Sequence, residues 1–206
     1  HILNLHGIKD KSFTDLKKEI NEVNHKRFPV LDEEIGKQMK QEIENARDRQ
    51  DSVGGILETV ISGVEAGIGE PSFSSLESML SEAMFSIPAV KGIEFGSGFE
   101  FANMYGSEAN DAWIIQDNKV ITKTNHNGGI NGGIANGMPI TFKTVIKPTP
   151  SISLEQDSVN YETKENVKLS ISGRHDPAII HRARAVVDAM TALVIADAYT
   201  MTYGRK

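Results

Sequence analysis

Apolar residues recur along this chain at two spacings, and those spacings predict its elements. Leu31, Ile35, Met39, Ile43 and Ala46 follow one another at three- and four-residue steps, with Glu, Lys, Gln and Arg on the other faces. That is an amphipathic helix from about Asp32, with one buried stripe and a solvated charged side. An earlier helix is predicted from Ser12-Phe13-Thr14-Asp15, a capping box with Ser12 as N-cap, to about Asn24. Ser74-Ser75-Leu76-Glu77 reads as a second box, and Phe73, Leu76, Leu80, Met84 and Phe85 form the buried face of the helix after it. Near the C-terminus Asp176 is placed as an N-cap, with Pro177 at the first helical position, where its missing N–H is not needed. Ile180, Ala183, Val187, Met190, Val194 and Asp197 then trace one side of a long helix to about Ala198.

Between the helices lie shorter β-prone runs. His1 to Leu5, Val53 to Ile61, Gly92 to Phe95, Ile140 to Ile146, Val159 to Tyr161 and Val167 to Ile171 are expected strands. Trp113 to Gln116 and Lys119 to Thr124 pair as a hairpin across Asp117-Asn118. Strands and helices mix without regular βαβ alternation, which predicts an α+β fold with mostly antiparallel pairing. No composition break divides residues 1–206, so one domain is expected.

Composition narrows the function. The 206 residues are 39% hydrophobic and 24% charged, as expected of a globular chain. A net charge of −6 argues against a general nucleic-acid surface. The absence of cysteine excludes disulfides, Cys-ligated zinc and thiol catalysis, and suits a reducing, cytoplasmic compartment. No uninterrupted apolar run reaches the ~18 residues of a membrane span, so no membrane partner is expected. The six histidines show neither H-x-x-x-H nor H-E-x-x-H spacing, so no metal site is expected. Met79, Met84 and Met190 are read as core.

The candidate chemistry gathers in Asn125 to Ser151. Glycines stand at 128, 129, 132, 133 and 137, with asparagines between them. Two readings fit: ordinary tight turns leading into a strand, or a loop shaped around a ligand that approaches the main chain. It matches neither the P-loop nor the dinucleotide fingerprint. Lys147 follows in a rigid Pro-Thr-Pro setting. Further on, Gly173-Arg174-His175-Asp176-Pro177 sets a cation and an acid at a predicted helix start, where an anion can be held. Asp176 reads equally as a simple cap.

Taken in order, these blocks resemble the chorismate synthase family. They are Arg49-Gln50-Asp51-Ser52-x-Gly54-Gly55; Ser86-Ile87-Pro88-Ala89-Val90-Lys91-Gly92-Ile93-Glu94 before Gly96-x-Gly98-Phe99; the run from Thr124-Asn125 through GGI-x-GGI-x-NGMPI; KPTPSI at 147–152; and GRHDP at 173–177. The resemblance implies a β-α-β sandwich and the 1,4-anti elimination of phosphate from 5-enolpyruvylshikimate 3-phosphate, giving chorismate for aromatic amino-acid biosynthesis. It implies reduced FMN as cofactor without net redox change, an association with NADP, and a homotetramer. By motif, Ala89, Gly137, Lys147, Pro148, Thr149, Pro150, Ser151 and Arg174 lie at the FMN site, and Asp176 sits near the flavin N5 to help move the substrate's proton. Pro88 departs from the Asn common in bacterial members.

The resemblance is partial. The family's Gly-Glu-Ser-His-Gly motif, and the second catalytic His implied with it, have no counterpart among the six histidines. The chain therefore reads as the C-terminal portion of a longer enzyme. Positioned acids contribute ~10²–10⁴-fold each, so this portion alone is expected to be inactive. The alternative is a non-catalytic flavin- or phosphate-binding or assembly module.

Overall fold

The computed structural model describes residues 1–173 and 175–204. At its centre is a five-stranded antiparallel sheet. Its strands are β1 (Ile2–Leu5), β2 (Ile8–Lys9), β3 (Gly55–Ile61), β4 (Val90–Phe95) and β9 (Ile140–Ile146), in the order β2-β1-β3-β9-β4. β3 and β9 pair from Gly55 opposite Ile146 to Ile61 opposite Ile140. β9 alternates strictly: Ile140, Phe142, Thr144 and Ile146 are buried, and the residues between them are half-buried or exposed. The buried side meets α3 (Leu76–Phe85) and α5 (Ile180–Tyr203), which also pack on each other. Phe142 lies in this layer with Leu57, Leu80, Met84, Ile180 and Val187. Truncating a ring in such a position costs about 3–5 kcal/mol.

α1 (Leu16–Asn24) and α2 (Glu33–Asp48) precede β3. α2 follows its predicted stripe, with Met39 and Ala46 buried and Ile35 and Ile43 packed against the core. Asp32 caps it by accepting from the amides of Glu34 and Ile35. It ends in a Schellman-like turn: Asp51 N–H donates to the Ala46 carbonyl at 2.9 Å, and Gln50 takes φ +60°.

Three two-stranded ribbons project from this frame. They are β5 (Trp113–Gln116) with β6 (Lys119–Thr122), β7 (Ile130–Asn131) with β8 (Ile134–Ala135), and β10 (Gln156–Asn160) with β11 (Glu165–Leu169). The predicted Asp117-Asn118 turn is present, both residues at positive φ, as a two-residue hairpin of the primed type requires. The α+β class and antiparallel pairing are as expected.

Several local expectations need correction. The first cap is Asp15, not Ser12. Asp15 accepts from the Lys18 amide, and the Glu19 carboxylate reaches back to the amides of Thr14 (2.7 Å) and Asp15 (3.0 Å), so the reciprocal box forms three residues later. Ser75 rather than Ser74 caps α3, accepting from Ser78 N–H. Phe73 is 96% exposed because it lies in the turn before α3, ahead of the Ser75 cap, and Phe85 is 54% exposed because it falls outside the arc held by Leu76, Leu80, Ala83 and Met84. Asp176 does not cap α5, which starts at Ile180 after Ile179. The Pro177 carbonyl is taken by the Val53 N–H at 2.8 Å, and the Asp176 carboxylate pairs with Arg182 at 2.6 Å. α5 is also long and apolar enough to cross a membrane, with a mean hydropathy of 1.3 over its best window. Here one side of it, through Ile180, Val187, Thr191, Val194 and Ala198, is buried.

Candidate functional site

The two glycine- and lysine-bearing blocks sit at opposite ends of β9. At its C-terminal end the chain leaves the sheet as Lys147-Pro148-Thr149-Pro150-Ser151. Lys147 N–H donates to the Ala89 carbonyl at 2.9 Å. Ala89 occupies the third position of a turn closed by Val90 N–H to the Ile87 carbonyl, with Pro88 before it and φ +74° at Ala89. That is type II turn geometry, and it aims the Ala89 carbonyl at the strand exit. Ser52 Oγ donates to the Thr149 carbonyl at 2.7 Å, and Leu154 N–H donates to the Gln50 carbonyl at 3.2 Å. The Val53 amide ties down Pro177, next to Asp176.

This end therefore collects Ala89, Lys147 to Ser151 and the segment carrying Asp176. Among the described residues Lys147, a half-buried residue, makes no ion pair. The Thr149 hydroxyl oxygen is buried and has no hydrogen-bond partner among the described residues. Asp176 is exposed, with Arg182 holding its carboxylate. His175 Nε2 donates to the Ile171 carbonyl at 3.1 Å. Arg174 lies outside the described residues.

Gly137 lies past the other end of β9, about 20 Å of strand away. Its nearest neighbour, where a Cβ would sit, is Ala66 at 3.5 Å. The structure does not bring it together with Lys147. The glycines around it are used mainly against the protein's own main chain. A Cβ on Gly128 would lie 2.6 Å from Gly96 N and 2.7 Å from the Thr141 carbonyl, and one on Gly133 would lie 2.6 Å from the Glu70 carbonyl.

One residue that the sequence did not single out organises this end. Asp111, 5% exposed, accepts from Thr124 Oγ1 (2.7 Å), His126 N–H (2.7 Å), Asn127 N–H (2.8 Å) and Asn127 Nδ2 (2.8 Å). Burial pushes its carboxyl up, but the bonds from Asn127, Thr124 and His126 together outweigh burial and leave it below the usual aspartate range. No local motif marked it, because its partners lie 13–16 residues downstream.

Two clefts flank the sheet. One of about 550 Å³ lies between the glycine region and the outer sheet face, lined by Glu58, Ser97, Asn125, His126, Thr141 and Lys143. Within it Lys143 pairs with Glu94 at 2.8 Å, and Ser97 Oγ and His126 Nδ1 share a hydrogen bond. The other, about 500 Å³, lies under α5 and is lined by Thr59, Arg184, Asp188 and Thr191. Neither is lined by Ala89 or Lys147 to Ser151.

Comparison with known proteins points one way. The sequence profile of chorismate synthase matches residues 1–200. A chorismate synthase of Methanosarcina mazei is 48% identical over 199 residues, covering 96% of this chain and 54% of the relative. One from Dehalococcoides mccartyi is 50% identical over 161 residues, covering 78% and 44%. A crystal structure of chorismate synthase superposes with a TM-score of 0.78 at 26% identity, covering 98% of this chain and 56% of that one. The chain spans about half the length of the relatives it matches, and over that span it belongs to the chorismate synthase family.

Proposed function

We propose that this chain supplies one wall of an FMN-dependent chorismate synthase site, at the C-terminal end of β9. The observation that carries the reading is the Lys147–Ser151 segment. Among the described residues, a lysine without an ion pair and a buried, unpartnered threonine hydroxyl lie there on a backbone fixed by Ala89 and Ser52. An ammonium and a hydroxyl suit a phosphate-bearing ligand, which offers charge and several acceptor oxygens. Lys147 and Thr149 would hold the phosphate end of FMN, with Pro148, Pro150 and Ser151 stiffening the segment, Ala89 beside it and Arg174 adding charge. When bound, reduced FMN supplies an electron-rich ring to the elimination.

The residues of the chain then have separable tasks. Lys147 offsets the charge of an anionic ligand or substrate. Asp176 is proposed as the group that takes part in moving the substrate's proton, and its contact with Arg182 orients the carboxylate. Gly137 is carried to the flavin by motif, yet it lies at the far end of β9; it serves this site only in combination with chain other than its own β9. The substrate is 5-enolpyruvylshikimate 3-phosphate. The enzyme to which the segment corresponds is proposed to be a cytoplasmic homotetramer associated with NADP.

The full reaction needs acids that this sequence does not contain, so the chain alone binds without turning over. Mixing it with the substrate and chemically reduced FMN should yield no chorismate, while titration with FMN should give a saturable change in flavin fluorescence. Robust turnover would overturn the first half, and the absence of a saturable change the second.

A further inference from the structure

The Pro148-Thr149-Pro150 run cannot hold itself in place through its amides, because two of its three residues have no N–H. It must be gripped through its carbonyls and side chains. Ser52 does this: its hydroxyl donates to the Thr149 carbonyl at 2.7 Å across 97 residues of sequence. The only other such grip among the described residues is weaker, from Gln156 Nε2 to the Pro150 carbonyl at 3.4 Å.

The spacing of the surrounding residues fits the same purpose. In an extended run alternate residues share a face. Ser52 and Gly54 both meet the Lys147–Ser151 segment, and Val53 between them is buried in the core with its amide on Pro177. Gly54 lets the segment lie directly on the main chain: a Cβ there would stand 2.5 Å from the Ile146 carbonyl and 2.9 Å from Pro148 N. Ser-x-Gly is thus a hydroxyl grip beside a bare docking surface. The same short run connects both segments of the candidate site.

We propose that Ser52 is a positioning residue, which fixes the Thr149 carbonyl so that the Lys147 ammonium and the Thr149 hydroxyl converge on one anionic group. The ligand end of this proposal rests on the reading of that wall as a phosphate site. The Ser52 grip itself is testable without any ligand.

The experiment compares Ser52→Ala and Ser52→Thr with the parent chain. Amide hydrogen exchange is followed at Lys147 and Leu154 without ligand, and FMN dissociation constants are measured by fluorescence. Loss of one hydrogen bond predicts roughly five-fold faster exchange at those amides and roughly five-fold weaker FMN binding in Ser52→Ala. Exchange in the α3 and α5 core should stay unchanged, and Ser52→Thr, which keeps the hydroxyl, should restore both values. Unchanged exchange and binding in Ser52→Ala would overturn the proposal. So would equal defects in both variants, which would make the effect one of volume. If the parent chain binds no FMN while Ser52→Ala still loosens Lys147 and Leu154, the phosphate-site reading fails and the positioning role stands.

Discussion

The two ends of β9 carry similar turn-forming sequence and are built differently. Past Ile140, glycines at positive φ let main chain close on main chain, and the buried Asp111 carboxylate gathers four donors there. Past Ile146, the segment is held by a few bonds to its carbonyls and flanks, and it presents a lysine without an ion pair among the described residues. The first end meets most of its polar needs internally, although the buried Asn125 Oδ1 has no partner among the described residues. The second leaves a cation and a hydroxyl unanswered among the described residues. Glycine content marks a tightly folded backbone, then, whereas a cation without an ion pair among the described residues marks the place where an anionic ligand is expected.

The largest test of that contrast is steric. Gly128→Ala puts a methyl group against Gly96 N and the Thr141 carbonyl at φ +62°. It should cost about 3 kcal/mol or more in urea unfolding, as strain and overpacking combine. Gly132→Ala meets nothing within 4 Å at a similar φ, and should cost only the ~1–2 kcal/mol of a left-handed non-glycine residue. Equal costs would erase the distinction between packed and merely turning glycines.

Asp111→Ala comes next. It strands donors whose acceptor was buried, and should destabilise the chain by about 2–3 kcal/mol. The sign of the pH effect follows from the lowered carboxyl. The unfolded chain binds this proton more readily than the folded one, so the stabilisation is complete above the ordinary aspartate value near ~4. It disappears as pH falls through the lower folded value. The variant should therefore lose part of the parent's acid sensitivity below that point, as read from denaturation midpoints against pH.

A smaller effect belongs to His181. Burial first, then Arg182 and Arg27, hold its imidazole below the ordinary histidine value, against the pull of Asp176. The folded protein binds that proton less readily than the unfolded chain. Stability should fall as pH drops from the ordinary ~6.5 through the lower folded value. His181→Gln should flatten that slope, and an unchanged slope would remove His181 from the account.

The frame was legible from the sequence where local pattern decides it. The α2 stripe, the Asp117-Asn118 turn and the β-run of Ile140 to Ile146 depend on neighbours a few residues away. The misplaced elements were those settled by distant partners. Asp176 has a good capping sequence, but Val53 takes the Pro177 carbonyl and Arg182 the carboxylate. Phe73 and Phe85 are apolar yet exposed, because the Ser75 cap starts α3 only after Phe73, and Leu80 and Met84 fix which arc of the helix faces the sheet. At the site, motif order marked Ala89 and Lys147 to Ser151 together. It could not show that Gly137 stands at the far end of β9, or that Ser52 grips Thr149, since both are facts of sheet register.

The most direct measurement compares FMN with riboflavin, which lacks the phosphate, on the parent chain and on Lys147→Ala. If the Lys147 end is a phosphate wall, FMN should bind at least about ten-fold more tightly than riboflavin, the scale of one charge-assisted contact. That preference should vanish in Lys147→Ala, while its unfolding free energy stays within about 0.5 kcal/mol of the parent. Equal affinity for the two flavins in the parent, or a phosphate preference that survives the loss of Lys147, would contradict the account.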